Sequence, residues 1–562
     1  MLSTLARRSA TITNRRPLRP VGIRMSLPRS SYSTSTSSQK PPSRSQAILE
    51  KVSSKGNTSP SASVLAVGFT VLATGLAAQQ YYAKSLSTQN VADQVLVIAG
   101  DGDDQKGFND NCLNADASIV LLSNQPSLVA RIDSAHVACN SPSEDRAAQA
   151  ALGPNSHVFV VLDGHVGQEC AEIVATHFPA YIQHELEIRG WTPNTAANLV
   201  PGKAPFSSFG SDSVPLPDES FKNIVTDALE AAFLRMDNDI LQGAFIGVAP
   251  PKSSKDDASD DTIASFNTGL NTATSGACAL VAFVDHDHLF VSCAGDSRAI
   301  LGTMNPLDGS FEAIDLSVDN RPNNPDERAR ILAEHPNEAE DQLIGLHESD
   351  PETIRLVRYI AISRALGDAR LKWPIHTINI LPDAAIRKRI PNILTPPYVT
   401  AKPLTQYRRI APGSDMFLIM GTDGLTDMLK SSEAVSVVHG FMRTRGAVPT
   451  VTNKEWDREP LAHHNGWVLD RDENAAGCLI RNALGGTDDK VAGLLGHPSP
   501  RDVRDDTTVK VVFFRNGGDD EKLMHGVSGV SESELPPIDS RLALPKTHFL
   551  PKWIQWLEGR CE

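Results

Sequence analysis

The sequence predicts an α+β fold built on antiparallel sheets. Short apolar runs follow one another across links too short for a helical crossover, and a few stretches of helical periodicity interrupt them. The runs His157–Leu162, Ala277–Val284, His288–Ser292, Asp415–Met420 and Thr508–Phe514 read as strands. Only Asp285-His286-Asp287 separates the second run from the third, so those two pair antiparallel. Phe221–Gln242 has helical periodicity, with Ile224, Ala228, Ala231, Ala232 and Leu234 among its apolar positions. Stretches near 190–217, rich in Pro, Ser, Gly and Asn, and near 249–262 read as surface insertions. No low-complexity break divides 93–515, which reads as one catalytic domain, with 516–562 as a C-terminal extension. No internal repeat is visible.

The N-terminus differs from the rest. Nine Arg and Lys residues, from Arg7 to Arg44, precede the first acidic residue, Glu50, with Ser and Thr dense between them. Residues 1–49 therefore read as a mitochondrial transit peptide, against a disordered basic tail as the rival. Residues 62–83 are uncharged, apolar and small, and end in Tyr81-Tyr82-Ala83 before Lys84. A single inner-membrane span is the favoured reading, at the lower limit of length; a linker and a buried helix are the rivals.

Composition narrows the function classes. A formal net charge of −14 argues against nucleic acid as a partner. The seven cysteines, Cys112, Cys139, Cys170, Cys278, Cys293, Cys478 and Cys561, form no CxxC pair. Isolated thiols in a reducing compartment are the reading, with neither a disulfide framework nor a zinc site.

Carboxylates recur at one kind of place, in glycine-containing turns at the ends of apolar runs. Asp163-Gly164-His165 follows one run, Gly295-Asp296-Ser297 another, and Gly421-Thr422-Asp423-Gly424 a third; Asp505-Asp506 stands just before a strand. Strand ends hold side chains rigidly, and carboxylates that converge there repel unless cations lie between them. Two hard divalent ions close together are the arrangement that activates water for phosphoryl transfer. Each turn alone is weak evidence, because Asp-Gly is also a common hairpin turn.

Val161-Leu162-Asp163-Gly164-His165-Val166-Gly167 resembles the DGHxG motif of the type 2C protein phosphatases. The remaining segments of that family follow in order: Ser143–Arg146 upstream of it, then Ser275-Gly276-Ala277, Gly295–Arg298, Ile362–Asp368, Thr422–Asp427 and Arg504–Val509. Finer features are similar to the mitochondrial branch, the pyruvate dehydrogenase phosphatases and their fungal relatives. They include Asn140–Arg146, Asn324–Arg328 with Glu334-His335-Pro336, Lys372-Trp373, Pro396–Ala401 and Asn474–Arg481.

The resemblance implies a sandwich of two antiparallel β-sheets flanked by α-helices, and two Mn²⁺ or Mg²⁺ ions with a weaker third. Asp163 would bridge the two ions, the Gly164 carbonyl would bind one, and Asp423 and Asp505 the other. Glu144 and Asp145 would hold waters around them, and Asp296 and Asp427 match positions linked to the third ion. His165 would protonate the leaving serine or threonine oxygen, with water attacking phosphorus directly. Asn140 stands where many cytosolic members carry an arginine thought to hold substrate phosphate; the pyruvate dehydrogenase phosphatases also have Asn there. Arg298 and Arg364 are candidates for phosphate contact, with ion pairs inside the fold the favoured reading for both. Asn320 and Thr426 replace a family histidine and tryptophan; neither change should remove metal binding.

The implied function is phosphoserine and phosphothreonine hydrolysis in mitochondrial proteins, with the pyruvate dehydrogenase complex as expected partner. Other matrix or intermembrane-space substrates, or an inactive phosphatase-fold binding protein, are the alternatives. A haloacid-dehalogenase reading of Asp101-Gly-Asp-Asp fails, because Gln105 stands where that chemistry needs Thr or Val. An inner-membrane-associated protein facing the matrix is favoured over one facing the intermembrane space.

Overall fold

A computed structural model describes residues 109–193, 218–243, 269–447, 466–515 and 535–538, apart from short gaps at 114, 123–126, 306, 308, 348–349, 382–385 and 387–388. The expected leader at 1–49, the apolar segment at 62–83, residues 194–217, the insertion at 249–262 and most of 516–562 lie outside the described residues. Among the described residues no helix is long and apolar enough to cross a membrane.

The strands in chain order are β1 (Ser118–Leu121), β2 (Val129–Val137), β3 (Arg146–Gly153), β4 (Ser156–His165), β5 (Gly276–Asp285), β6 (His288–Ala294) and β7 (Arg298–Met304). There follow β8 (Phe311–Asp315), β9 (Ile344–His347), β10 (Asp350–Leu356), β11 (Leu366–Gly367), β12 (Leu404–Arg409), β13 (Asp415–Gly421) and β14 (Thr507–Phe514). One sheet has the order β1-β2-β14-β13-β7-β8 and the other β12-β6-β5-β4-β3, with β11 paired to β5. Neighbours in both sheets run antiparallel, and the expected hairpin forms with Asp285 opposite His288.

Both faces of β4 are buried, which is why its sequence is continuously apolar instead of alternating. Val158, Val160 and Leu162 face one core cluster, and Phe159 and Val161 another. The first cluster joins the sheet to helices α1 (Glu169–Ile188) and α2 (Asp218–Leu241) through Phe178, Tyr181, Phe221 and Phe233. The second lies between the sheets, where Phe159 and Leu280 share a cluster with Leu418, Val512 and Phe514. Each such buried side chain contributes roughly 1.5–3 kcal/mol. A short helix, α3 (Pro325–Glu334), starts at Asn324, whose side chain caps Asp326 N–H. On the outer face of the β13 sheet lie α4 (Ser431–Thr444), α5 (Ala475–Ala483) and α6 (Asp488–Leu495). The layers run helix, sheet, sheet, helix.

This antiparallel pattern fixes where the acidic turns go. In one sheet β4 and β6 end where β3 and β5 begin, and in the other β2 and β13 end where β7 and β14 begin. Gly295-Asp296-Ser297 is all that links β6 to β7, so these are the same end of the sandwich.

Candidate metal centre

Asp163 and His165 close β4, Asp296 sits in the β6–β7 link, Asp423 follows β13, and Glu144-Asp145 and Asp505 precede β3 and β14. Ligand atoms of Asp163, Cys278 and Asp296 lie within 4.8 Å of one another. Burial, followed by the charges of Asp423, Asp145, Asp296 and Asp505, pushes the Asp163 carboxyl well above its ordinary range. Asp423 is raised in the same way, by burial and then by Asp296, Asp505 and Asp427, with Arg321 working against them. Asp505 is raised by burial although Arg501 pairs with it. Asp145 is raised mainly by burial, and its Oδ2 accepts the Thr422 hydroxyl at 2.9 Å. This is a concentration of negative charge that protons or cations must relieve.

The surrounding backbone is built to close limits. A Cβ on Gly164 would stand 2.1 Å from the Glu144 carbonyl oxygen, so only glycine lets β4 approach the first acidic loop. Val166, a β-branched residue, takes φ 59°, and the next residue, Gly167, donates its N–H to Glu144 Oε1 at 2.6 Å. Asp506 organises the 139–144 loop. Its carboxylate accepts the N–H groups of Cys139, Asn140 and Glu144 and the Asn140 side-chain amide. Burial would raise its pKa, but those backbone bonds together hold it below the ordinary carboxylate range.

His165 Nε2 bonds Asp368 Oδ2 at 2.9 Å, with Asp368 1% exposed. Burial alone would lower the imidazole pKa; the charge and hydrogen bond of Asp368, with Glu144 and Asp296 behind it, raise it instead. Asp368 adopts φ 54° and donates its N–H to the Ser275 carbonyl. Gly276 makes room for the pair, since a Cβ there would lie 2.1 Å from His165 Nε2 and 2.6 Å from Asp368 Oδ2.

Residues 227–458 match the family Protein phosphatase 2C. Human pyruvate dehydrogenase (acetyl-transferring) phosphatase 2, mitochondrial, is 30% identical over 70% of this chain and 80% of its own length. A protein phosphatase 2C homologue of Schizosaccharomyces pombe is 31% identical over 70% and 81%.

The chain belongs to the protein phosphatase 2C family.

It is accordingly a protein serine/threonine phosphatase, with the α+β fold of that family. Mitochondrial pyruvate dehydrogenase (acetyl-transferring) phosphatase 1 of Saccharomyces cerevisiae is 28% identical over 80% of the chain and 79% of its own length. Protein phosphatase 2C enzymes depend on Mn²⁺ or Mg²⁺, and the donor set here fits: hard carboxylate oxygens whose mutual repulsion a divalent cation would relieve.

Other expected site residues take different places in this phosphatase. The Arg364 guanidinium engages Glu327 Oε1 through Nε and Nη2, at 3.0 and 2.7 Å, and the Lys402 carbonyl through Nη1. Those bonds hold the guanidinium inside the fold, where the residue is 6% exposed. The arrangement is the intramolecular ion pair. Arg298 pairs likewise with Asp319, at 2.7 Å. Asn140 donates its side-chain amide to Asp506 Oδ2 at 2.8 Å. Asp427 is 60% exposed and meets Arg321.

Four residues near the centre were not assigned from sequence: Asp368, Asp506, Arg321 and Cys278. Asp368 and Asp506 stand inside recognised segments, so their motif position was an available signal. Cys278 reads as an isolated thiol until the register places it opposite Asp163 across β4 and β5. Arg321 carries no such signal.

Proposed function

We propose that this phosphatase removes phosphate from serine and threonine side chains of mitochondrial proteins, with the E1α subunit of pyruvate dehydrogenase as its substrate. The observation that carries the reading is the kinship with enzymes named for that reaction, over 77–80% of their own length. The Arg-rich, acid-free leader supports import into mitochondria. The apolar segment at 62–83 would tether the domain to the inner membrane, on the matrix side.

Asp163, the Gly164 carbonyl, Asp423 and Asp505 would hold two Mn²⁺ or Mg²⁺ ions, with Glu144 and Asp145 ordering water beside them. Bound there, such ions supply a nucleophile from water at neutral pH and neutralise charge on the phosphoryl oxygens. The chain's own residues provide the rest. Asp368 fixes the imidazole of His165 at Nε2, so Nδ1 is the nitrogen left to pass a proton to the departing serine or threonine oxygen. The raised pKa keeps that proton available near neutral pH. Gly276 and the strained turn at Val166 hold the imidazole and the first acidic loop in register.

The test is hydrolysis of phosphorylated E1α by the purified full chain with Mn²⁺ or Mg²⁺, set against other mitochondrial phosphoproteins. Preferential release from E1α, abolished by chelation, is expected. Equal rates on unrelated phosphoproteins would remove the substrate assignment. Protease treatment of mitoplasts tests the side of the membrane: digestion of the domain with the inner membrane intact would place it in the intermembrane space.

A further inference from the structure

One cation at the centre already belongs to the chain. Arg321 Nε lies 2.8 Å from Asp296 Oδ2, and its Nη2 lies 3.4 Å from Asp427 Oδ1 and 3.6 Å from Asp423 Oδ2. These carboxylates come from separate turns, the β6–β7 link and the turn after β13, and the guanidinium stands between them.

The side chain is delivered by a fixed backbone. Asn320, just before it, is 0% exposed; its N–H donates to the Gly295 carbonyl, and its side-chain oxygen accepts Gly295 N–H. The Asn320 carbonyl accepts both the N–H and the hydroxyl of Ser363. Just beyond, the Arg321 carbonyl accepts Asn324 N–H at the start of α3. An exposed arginine meeting one carboxylate would be an ordinary surface pair of little weight. Here the arginine is three-quarters buried, its anchor ties directly to the residue before Asp296, and one of its partners, Asp296, is itself 3% exposed.

We propose that the Arg321 guanidinium is a resident third cation of the centre: it neutralises Asp296, Asp423 and Asp427, so that the phosphatase takes up two divalent ions and not three. The inference rests on the two-ion reading above. A planar guanidinium suits this place because it can engage several carboxylates in different directions while keeping its charge at any physiological pH. It leaves Asp163, Asp505 and the far oxygen of Asp423 to the ions. A third divalent ion would have to displace it or share the position against a like charge.

Mn²⁺ uptake by the full chain, measured by equilibrium dialysis with electron paramagnetic resonance of free Mn²⁺, reads this directly and does not depend on turnover. Wild type and Arg321→Lys are expected to bind two ions. Arg321→Gln is expected to bind a third at least about tenfold more tightly than wild type does, because a like charge a few ångströms away is gone. Asp427→Asn, which keeps the arginine, is expected to bind two ions as wild type does, and it covers the case in which Arg321→Gln does not fold. A third ion bound equally well by wild type and Arg321→Gln, or an ion lost in Asp427→Asn, overturns the proposal. Two ions on Arg321→Gln overturns it as well while leaving the two-ion reading intact. Absence of Mn²⁺ from every protein overturns that reading and this one together.

Discussion

Asp163 and Glu327 are both carboxylates that this fold draws away from water, Glu327 fully and Asp163 in part, and their surroundings are opposite. Glu327, 2% exposed on α3, has both oxygens matched: Arg364 on one, and Ser363 and Arg330 on the other. Burial would raise its pKa, but those bonds hold it down at about 2. Asp163 is ringed by other carboxylates, and its carboxyl is driven upward. A buried carboxylate with protein partners is part of the scaffold, whereas one surrounded by its own kind is a site that calls for a cation. His165–Asp368 lies between the two cases, a buried carboxylate bonded to a half-buried imidazole that is also placed to do chemistry.

The comparison breaks first at activity. Asp163→Asn should abolish hydrolysis of a phosphopeptide at saturating Mn²⁺, while Glu327→Gln, in a protein that still folds, should retain turnover. Full turnover by Asp163→Asn would return Asp163 to the scaffold.

The intermediate pair gives the next largest effect. His165→Gln should slow a phosphoserine peptide by about 10²–10⁴-fold and barely touch p-nitrophenyl phosphate, whose leaving group is already a stable anion. Equal losses on both substrates would make His165–Asp368 a structural pair of the Glu327 kind.

Stability sharpens the contrast further. Glu327→Ala leaves the Arg364 charge buried without its carboxylate and should cost about 3–5 kcal/mol by urea unfolding at neutral pH. Because the folded pKa of Glu327 lies below the unfolded one, this contribution is complete above the unfolded value of 4.5 and is lost as pH falls towards about 2. A cost that does not shrink on acidification would mean that the Glu327 charge contributes nothing.

The smallest effect has the opposite sign. With its folded pKa raised, Asp163 holds a proton in the folded state that the unfolded chain releases, so its presence destabilises the metal-free protein increasingly as pH rises above about 4. Asp163→Asn cannot ionise, and under chelation its Tm should exceed that of wild type by a margin that widens as pH rises above about 4. Added Mn²⁺ should reverse the order, because only wild type keeps the full ligand set. A variant less stable than wild type throughout would show that Asp163 is already satisfied by the protein.

The amino-acid order alone marked the strands that are buried on both faces, because a continuous apolar run such as Val158–Leu162 has few other uses in a folded chain. It also determined which turns carry carboxylates, since Asp163, Asp296, Asp423 and Asp505 stand directly at run ends. β3 was not legible: Arg146–Gly153 is rich in alanine, which favours helix, and it is a strand because β4 offers it an edge. The partners were set by how the sheets stack. Asp368 is 203 residues from His165, and Arg321 reaches Asp423 and Asp427 across about a hundred positions of chain. Whether a carboxylate meets a guanidinium or another carboxylate depends on distances that exist only once the sheets stack. In water the unfolded chain screens such charges almost completely, so nothing local in the sequence records which of them will be paired.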